Sequence, residues 1–95
     1  MVFDISQISG IGDYTTREEK SRRLYLRGEK VFLVEHPNTI ELRCDGKLSK
    51  LLQEKYESVM ESRYFGRGGI EIVLAGQLSS DELYDLARLS YNLSE

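Results

Sequence analysis

The chain has 95 residues, of which 40% are hydrophobic and 31% are charged, and its formal net charge is -3. This length fits one domain over residues 1–95, because single domains usually run from about 50 to 250 residues. The composition excludes a disordered chain, and the acidic balance excludes a globally basic, histone-like protein. The only cysteine, Cys44, excludes an intramolecular disulfide and a cysteine-rich zinc site. We therefore expect a small protein with a real hydrophobic core, enlarged or not by dimerisation.

Targeting and membrane signals are not visible in the sequence. No apolar run approaches the ~20 residues that span a bilayer. The opening residues, 1–4, lack the basic and apolar regions of a signal peptide. We therefore expect a cytoplasmic protein with no membrane partner.

The middle of the chain predicts an antiparallel meander of three strands. Polar and apolar residues alternate over 23–27, residues 30–35 are apolar on both faces, and alternation returns over 39–44. Gly28-Glu29 and residues 36–38 supply the two turns. The side chains expected to be buried from the third strand are Ile40, Leu42 and Cys44.

Two helices and a further strand are predicted after the meander. Asp45 caps the first helix, and Ser79 with Glu82 forms a capping box for the last one. Residues 66–69 predict a glycine-rich loop, and residues 70–74 alternate as a strand. The side chains that share one face at helical spacing are Leu48, Leu51, Leu52 and Tyr56 in the first helix, and Leu83, Leu86, Ala87, Ser90 and Leu93 in the last.

This order of elements predicts an α+β fold. An antiparallel sheet of about five strands is covered on one face by helices, because runs of strands stand between the helices. The first 20 residues are the least regular part of the sequence. Phe3, Ile5 and Ile8 are expected to cover an edge of the core, as a short helix or a short strand.

The sequence offers no convergent catalytic or metal-binding group, so we expect neither an enzyme nor a cofactor. His36 is the only histidine, and a histidine in a turn is expected to be solvated at the surface. Cys44 has the phase of its buried neighbours and is interpreted as a structural thiol. The acidic residues are scattered without metal-ligand spacing, although a carboxylate pair created by the fold stays open.

Basic residues concentrate in residues 17–30, whereas the last helix is acidic. The residues interpreted as nucleic-acid-binding are Arg22, Arg23, Arg27 and Lys30, with Arg63 and Arg67 on a wing at the glycine-rich segment. Charges of this kind are also common on solvated sheet faces. The two interpretations differ in geometry: one continuous basic face favours DNA binding, whereas scattered arginines, or arginines paired with carboxylates, favour a protein-interaction module.

A family resemblance rests on the order and spacing of several short motifs. They are Gly28-Glu29-Lys30-Val31-Phe32, Ser62-Arg63-Tyr64, Ala75-Gly76-Gln77-Leu78 and the closing Leu89-Ser90-Tyr91-Asn92-Leu93. With these motifs, the chain from about Ile8 onward resembles the MmcQ/YjbR family of small bacterial and archaeal proteins. The resemblance implies an α+β fold similar to secretion-chaperone and frataxin-like folds, with a "double wing" described as DNA-binding.

The chain departs from the family at its start. The family opens with a full helix, where only seven residues precede Ile8 here, and this chain has no tryptophan. We therefore expect a sheet face left open or covered by a partner. The leading hypothesis is a non-enzymatic domain that binds the DNA backbone. The alternative is a protein-interaction or homodimerisation module that does not bind nucleic acid.

Overall fold

A computed structural model describes residues 3–95, which form six β-strands and two α-helices. After a 3-10 turn over Ile5–Gln7, the elements in chain order are β1 Thr15–Glu19, β2 Arg22–Arg27, β3 Lys30–Glu35, β4 Thr39–Arg43, α1 Gly46–Lys55, β5 Val59–Ser62, β6 Gly66–Val73 and α2 Ser80–Leu93. The strands form one antiparallel sheet in the order β1-β2-β3-β4-β6-β5. The predicted α+β class is confirmed, and the number of strands is six rather than about five.

The sixth strand is β1, which the sequence analysis placed in an irregular segment. Its side chains are exposed or half-buried, so the strand lacks the apolar alternation that identifies a half-buried strand. It pairs with β2 from Thr15 opposite Leu26 to Glu19 opposite Arg22. Backbone hydrogen bonds to β2, rather than burial, therefore define this edge.

Both α-helices pack on one side of the sheet, which we call the helix face. α1 lies over β5 and β6, and α2 lies over β3 and β4. The side chains of Ile40, Leu42, Ile70 and Ile72 point to this side and are 0% exposed. We call the opposite side, which carries Val34, the open face. No helix among residues 3–95 is long and apolar enough to cross a membrane.

The prediction of a loop in the glycine-rich segment is wrong, because residues 66–69 form the first part of β6. A side chain at Gly69 has no room, since a Cβ there would lie 2.5 Å from Cβ of Phe65 and 2.6 Å from the carbonyl oxygen of Leu42. Glycine at this position lets the Phe65 ring cover a small apolar cluster on the open face. That cluster contains Leu24, Leu26, Val31 and Val34.

The capping signals of both helices are confirmed. Asp45 accepts a hydrogen bond from the backbone of Lys47, and both hydrogen bonds of the Ser79–Glu82 capping box are present. The apolar face of α1 is only partly as predicted: Ser49 is buried, whereas Leu51 is 62% exposed.

The N-terminal segment covers part of the helix face, so this side of the sheet is not left bare, whereas both α-helices leave the open face uncovered. Phe3, Ile5 and Ile8 are all buried in the main core, and the Phe3 ring packs edge-on against Tyr84 of α2. A 3-10 turn capped by Asp4 is enough to place these three side chains. A full helix is not required to close this side.

Candidate functional site

The four cations predicted on β2 and β3 do not share one face. Arg22 has the same phase as Leu24 and lies on the open face. Arg23 and Arg27 alternate with it and lie on the helix face. Lys30 pairs with Arg27 across the β2–β3 hairpin, and its Nζ reaches the end of the chain on the helix side. A single basic stripe is therefore not formed.

Two of these cations form ion pairs with neighbouring carboxylates. Nη2 of Arg22 lies 2.7 Å from Oε1 of Glu19, and Arg23 forms an ion pair with Glu18. Exposed pairs of this kind contribute little to stability. They do, however, cancel positive charge at the surface where it was expected.

The other two cations hold the end of α2 to the sheet. Nη1 of Arg27 donates to the carbonyl oxygen of Tyr91 at 3.0 Å. The guanidinium of Arg27 also lies 4.3 Å from the centre of the Tyr91 ring. Lys30 donates to the carbonyl oxygen of Glu95 at 3.2 Å. Both cations lie at the negative end of the helix dipole, where positive charge is stabilising.

The two predicted wing arginines have different environments. Arg63 forms a bidentate pair with Glu71, with Nε and Nη2 at 2.9 and 2.7 Å from the two carboxylate oxygens. The Glu71 carboxylate also raises the pKa of Arg63. Among the described residues, Arg67 has neither a side-chain hydrogen bond nor an ion pair, and it lies beside α1. Unlike Arg22, Arg23 and Arg63, it is not paired with a carboxylate.

The open face carries a buried polar cluster that the sequence analysis did not identify. Glu41 of β4 and Glu71 of β6 stand directly opposite each other in the sheet and are 1% and 4% exposed. Two opposed carboxylates repel each other and are costly to bury without partners. In the sequence, each glutamate lies between two buried aliphatic residues, which indicates a position within a strand. Only the pairing of β4 with β6 brings the two carboxylates together.

Glu41 accepts hydrogen bonds from donors in the β3–β4 turn and in the β5–β6 turn. His36 Nε2 lies 2.6 Å from one carboxylate oxygen, and the Ser62 hydroxyl and Tyr64 backbone N–H donate to the other at 2.7 and 2.8 Å. Burial alone raises the pKa of the Glu41 carboxyl, but these hydrogen bonds outweigh it, so the pKa lies below its usual value. His36 is therefore half-buried and hydrogen-bonded, and its prediction as a solvated residue is wrong.

This cluster holds the β5–β6 turn over the open face. Glu41 binds the turn through Ser62 and Tyr64, and Glu71 binds it through Arg63. One ring nitrogen of His36 and one oxygen from each glutamate lie within 4.8 Å of one another, which is close enough for a shared cation. Arg63 already pairs with Glu71, and hydrogen bonds satisfy Glu41, so the donor set fits a polar network better than a metal centre.

Cys44 is buried, as predicted, with 5% of its surface exposed. Burial raises the pKa of its thiol, so it is a poor source of thiolate at neutral pH. This environment is that of a structural cysteine.

An apolar groove runs between the two α-helices. The helices are antiparallel, because Tyr56 after α1 bonds Glu82 at the start of α2, while the backbone before α1 bonds Ser90 near the end of α2. Leu48 and Leu52 on α1 and Leu86 on α2 are half-buried against the core. Further along the Leu86 side of α2, Leu89 and Leu93 are 37% and 50% exposed.

The two helices that border this groove carry opposite charge. α1 has three lysines and one glutamate, whereas α2 has three acidic residues and one arginine. The groove floor near its α2 N-terminal end is lined by Leu52, Tyr56 and Leu86, with Lys55 on one rim and Asp85 on the other. The helix layer is therefore apolar along its middle and oppositely charged at its sides.

Comparison with known proteins shows the fold. No family model matches the chain, and no curated protein matches it. A crystal structure of a Pseudomonas syringae protein, solved by the Northeast Structural Genomics Consortium, is similar with a TM-score of 0.75. It is 16% identical in sequence, and the match covers 86% of this chain and 87% of that chain. This likeness supports the same arrangement of sheet and helices.

Proposed function

We propose that this chain is a non-enzymatic protein-interaction module whose partner is a second copy of itself, docked through the helix layer. The observation that carries the proposal is the run of Leu86, Leu89 and Leu93 along a side of α2 that the sheet does not cover. Three of the five predicted DNA-binding arginines, Arg22, Arg23 and Arg63, are paired with carboxylates, which supports the same choice because it cancels positive charge at the surface.

A two-fold dimer fits the charges of the helix layer. The two-fold axis would run parallel to the helices, above the groove and between the two copies. It would place α1 of one copy over α2 of the other. Each positively charged α1 then faces a negatively charged α2, and the contact is self-complementary, as a two-fold interface must be. The leucines of both grooves meet at the centre, where water is excluded.

The test is the molar mass of the protein in solution over a range of concentrations, by sedimentation equilibrium. We expect a monomer–dimer equilibrium that Leu89→Glu weakens by about tenfold or more, since each dimer would bury two unpaired charges. Ser21→Glu, in the exposed β1–β2 turn outside the helix layer, is the control and leaves the equilibrium unchanged. A wild-type protein that stays monomeric at the highest concentration overturns the proposal.

A second candidate is binding of the DNA backbone, as the MmcQ/YjbR resemblance implies. Arg67 favours it, because its guanidinium lacks an acidic partner among residues 3–95. In this case Arg63 and Tyr64, both exposed in the same hairpin, extend the contact to phosphate and base.

Titration against duplex DNA at low and moderate salt tests this candidate. Arg67→Ala should lower the affinity and flatten its salt dependence, whereas Arg23→Ala, whose partner is Glu18, should change neither. Absence of binding at micromolar protein in low salt excludes it.

A further inference from the structure

A polar groove lies on the other flank of α1 from the leucines, between that helix and the β5–β6 hairpin. Its volume is about 440 Å³, and its walls are Gly46, Ser49, Lys50, Gln53, Glu61 and Arg67. Residue 50 is on the side of α1 opposite to residues 48 and 52, so this groove and the apolar groove do not overlap. Ligand binding in this groove is therefore independent of the dimer.

The two cations of this groove are not neutralised inside the fold. In the described part of the chain, neither Lys50 nor Arg67 lies in an ion pair or donates a side-chain hydrogen bond. This distinguishes them from Arg22, Arg23 and Arg63, whose charges are paired with glutamates. Glu61 is the one carboxylate that lines the groove, so the lining carries net positive charge.

The floor of the groove is fixed before any ligand arrives. Ser49 is 2% exposed, and its hydroxyl donates to the carbonyl oxygen of Gly69 at 2.9 Å. Gln53 Nε2 donates in turn to the Ser49 hydroxyl at 2.9 Å. The backbone next to Arg67 is held by the hydrogen bond from the Cys44 N–H to the Gly68 carbonyl oxygen at 3.0 Å. The cations therefore project from a rigid support, which limits the entropy lost on binding.

We infer that this groove binds a phosphate group, with Arg67 and Lys50 as its cationic ligands and the Gln53 amide as a neutral donor. A guanidinium presents parallel N–H donors that match two phosphate oxygens, and an ammonium adds a compact charge beside it. Gly46, the first residue of α1, also lines the groove, and Asp45 caps this end of the helix. The phosphate belongs either to a small phosphorylated ligand or to a nucleic-acid backbone.

The test is a titration of the full chain with pyrophosphate, followed by NMR through the side-chain resonances of Gln53 and Arg67. We expect saturable shifts of these resonances and an affinity about tenfold lower in Arg67→Ala and in Lys50→Ala. Lys20→Ala, an exposed cation in the β1–β2 turn, is the matched control and keeps the wild-type affinity. Far-ultraviolet circular dichroism verifies that each variant is folded.

Two arms separate the sources of the phosphate. If a short DNA duplex shifts the same resonances at lower concentration than pyrophosphate, the phosphate is that of a nucleic-acid backbone. If pyrophosphate binds and the duplex does not, the ligand is a small phosphorylated molecule. Absence of saturable shifts with both ligands, or equal affinities of Arg67→Ala and Lys20→Ala, overturns the inference. None of these outcomes depends on whether the protein dimerises.

Discussion

At the scale of single residues, the most informative side chain is Glu41. It lies in the centre of the sheet, 1% exposed, and accepts hydrogen bonds from His36, Ser62 and the Tyr64 backbone. A buried carboxylate is tolerated when charge-assisted hydrogen bonds replace its water. Glu41 therefore joins the β3–β4 turn to the β5–β6 turn across the open face.

Glu41→Gln should lower the free energy of unfolding by about 2 to 4 kcal/mol. Both carboxylate oxygens of Glu41 accept hydrogen bonds, whereas the –NH2 group of glutamine cannot accept one. Urea unfolding at neutral pH measures this loss. Glu61→Gln, which changes an exposed glutamate of the adjacent hairpin, is the control, and we expect it to stay within about 0.5 kcal/mol of wild type. Equal stabilities of the two variants would contradict the role assigned to Glu41.

The same residue should make stability depend on pH in acid. Its folded-state pKa is below the usual value of 4.5, so the stabilisation is present above that value and is lost as pH falls through the folded-state pKa. Unfolding free energies measured from neutral pH down into this range should therefore decrease in wild type. The decrease should be smaller in Glu41→Gln, which has no carboxyl at this position. An unchanged slope would show that other groups cause it.

At the scale of elements, the β5–β6 hairpin is shaped by one glycine of its glycine-rich run. Gly69 allows Phe65 to fold back over the sheet, whereas Gly68 has only ordinary contacts, with a Cβ there 3.7 Å from the nearest carbonyl oxygen. Neither glycine has a positive φ, so close packing rather than backbone conformation separates the two positions. The hairpin in turn carries both Arg63 and Arg67.

Gly69→Ala should therefore destabilise the protein by about 2 to 4 kcal/mol, since its methyl group would collide with the backbone of Leu42 and with Phe65. Gly68→Ala is the matched variant one residue away, and we expect a change below about 1 kcal/mol. Thermal unfolding of both variants gives the comparison. If the two alanines are equally tolerated, Phe65 does not pack as described.

At the scale of the whole molecule, the main core depends on the chain before β1. Phe3, Ile5 and Ile8 are each less than 8% exposed and complete the helix face beside α2. A single buried aliphatic or aromatic side chain contributes about 1.5 to 3 kcal/mol. In a domain of this size, that is a large share of a total stability of about 5 to 15 kcal/mol.

Ile8→Ala should accordingly lower the free energy of unfolding by about 2 to 4 kcal/mol through the lost contacts and the cavity left behind. Gln7→Ala, next to it and exposed, should have a small effect. Denaturant midpoints of the two variants test this prediction. A tolerated Ile8→Ala would mean that the N-terminal segment adds little to the core.

The sequence by itself determined the meander, both helix caps, the buried phase of Ile40 and Leu42 and the α+β class. These features depend on neighbours within a few residues, through alternation, turn chemistry and capping. It did not reveal β1, whose exposed side chains show no burial pattern, or the β6 glycines, which look like a loop when their packing partner Phe65 is unknown. Only the tertiary structure decided the strand register that joins Glu41 to Glu71, and with it the faces and partners of the predicted arginines. Such pairs depend on contacts between residues far apart in the chain, and no local pattern encodes them.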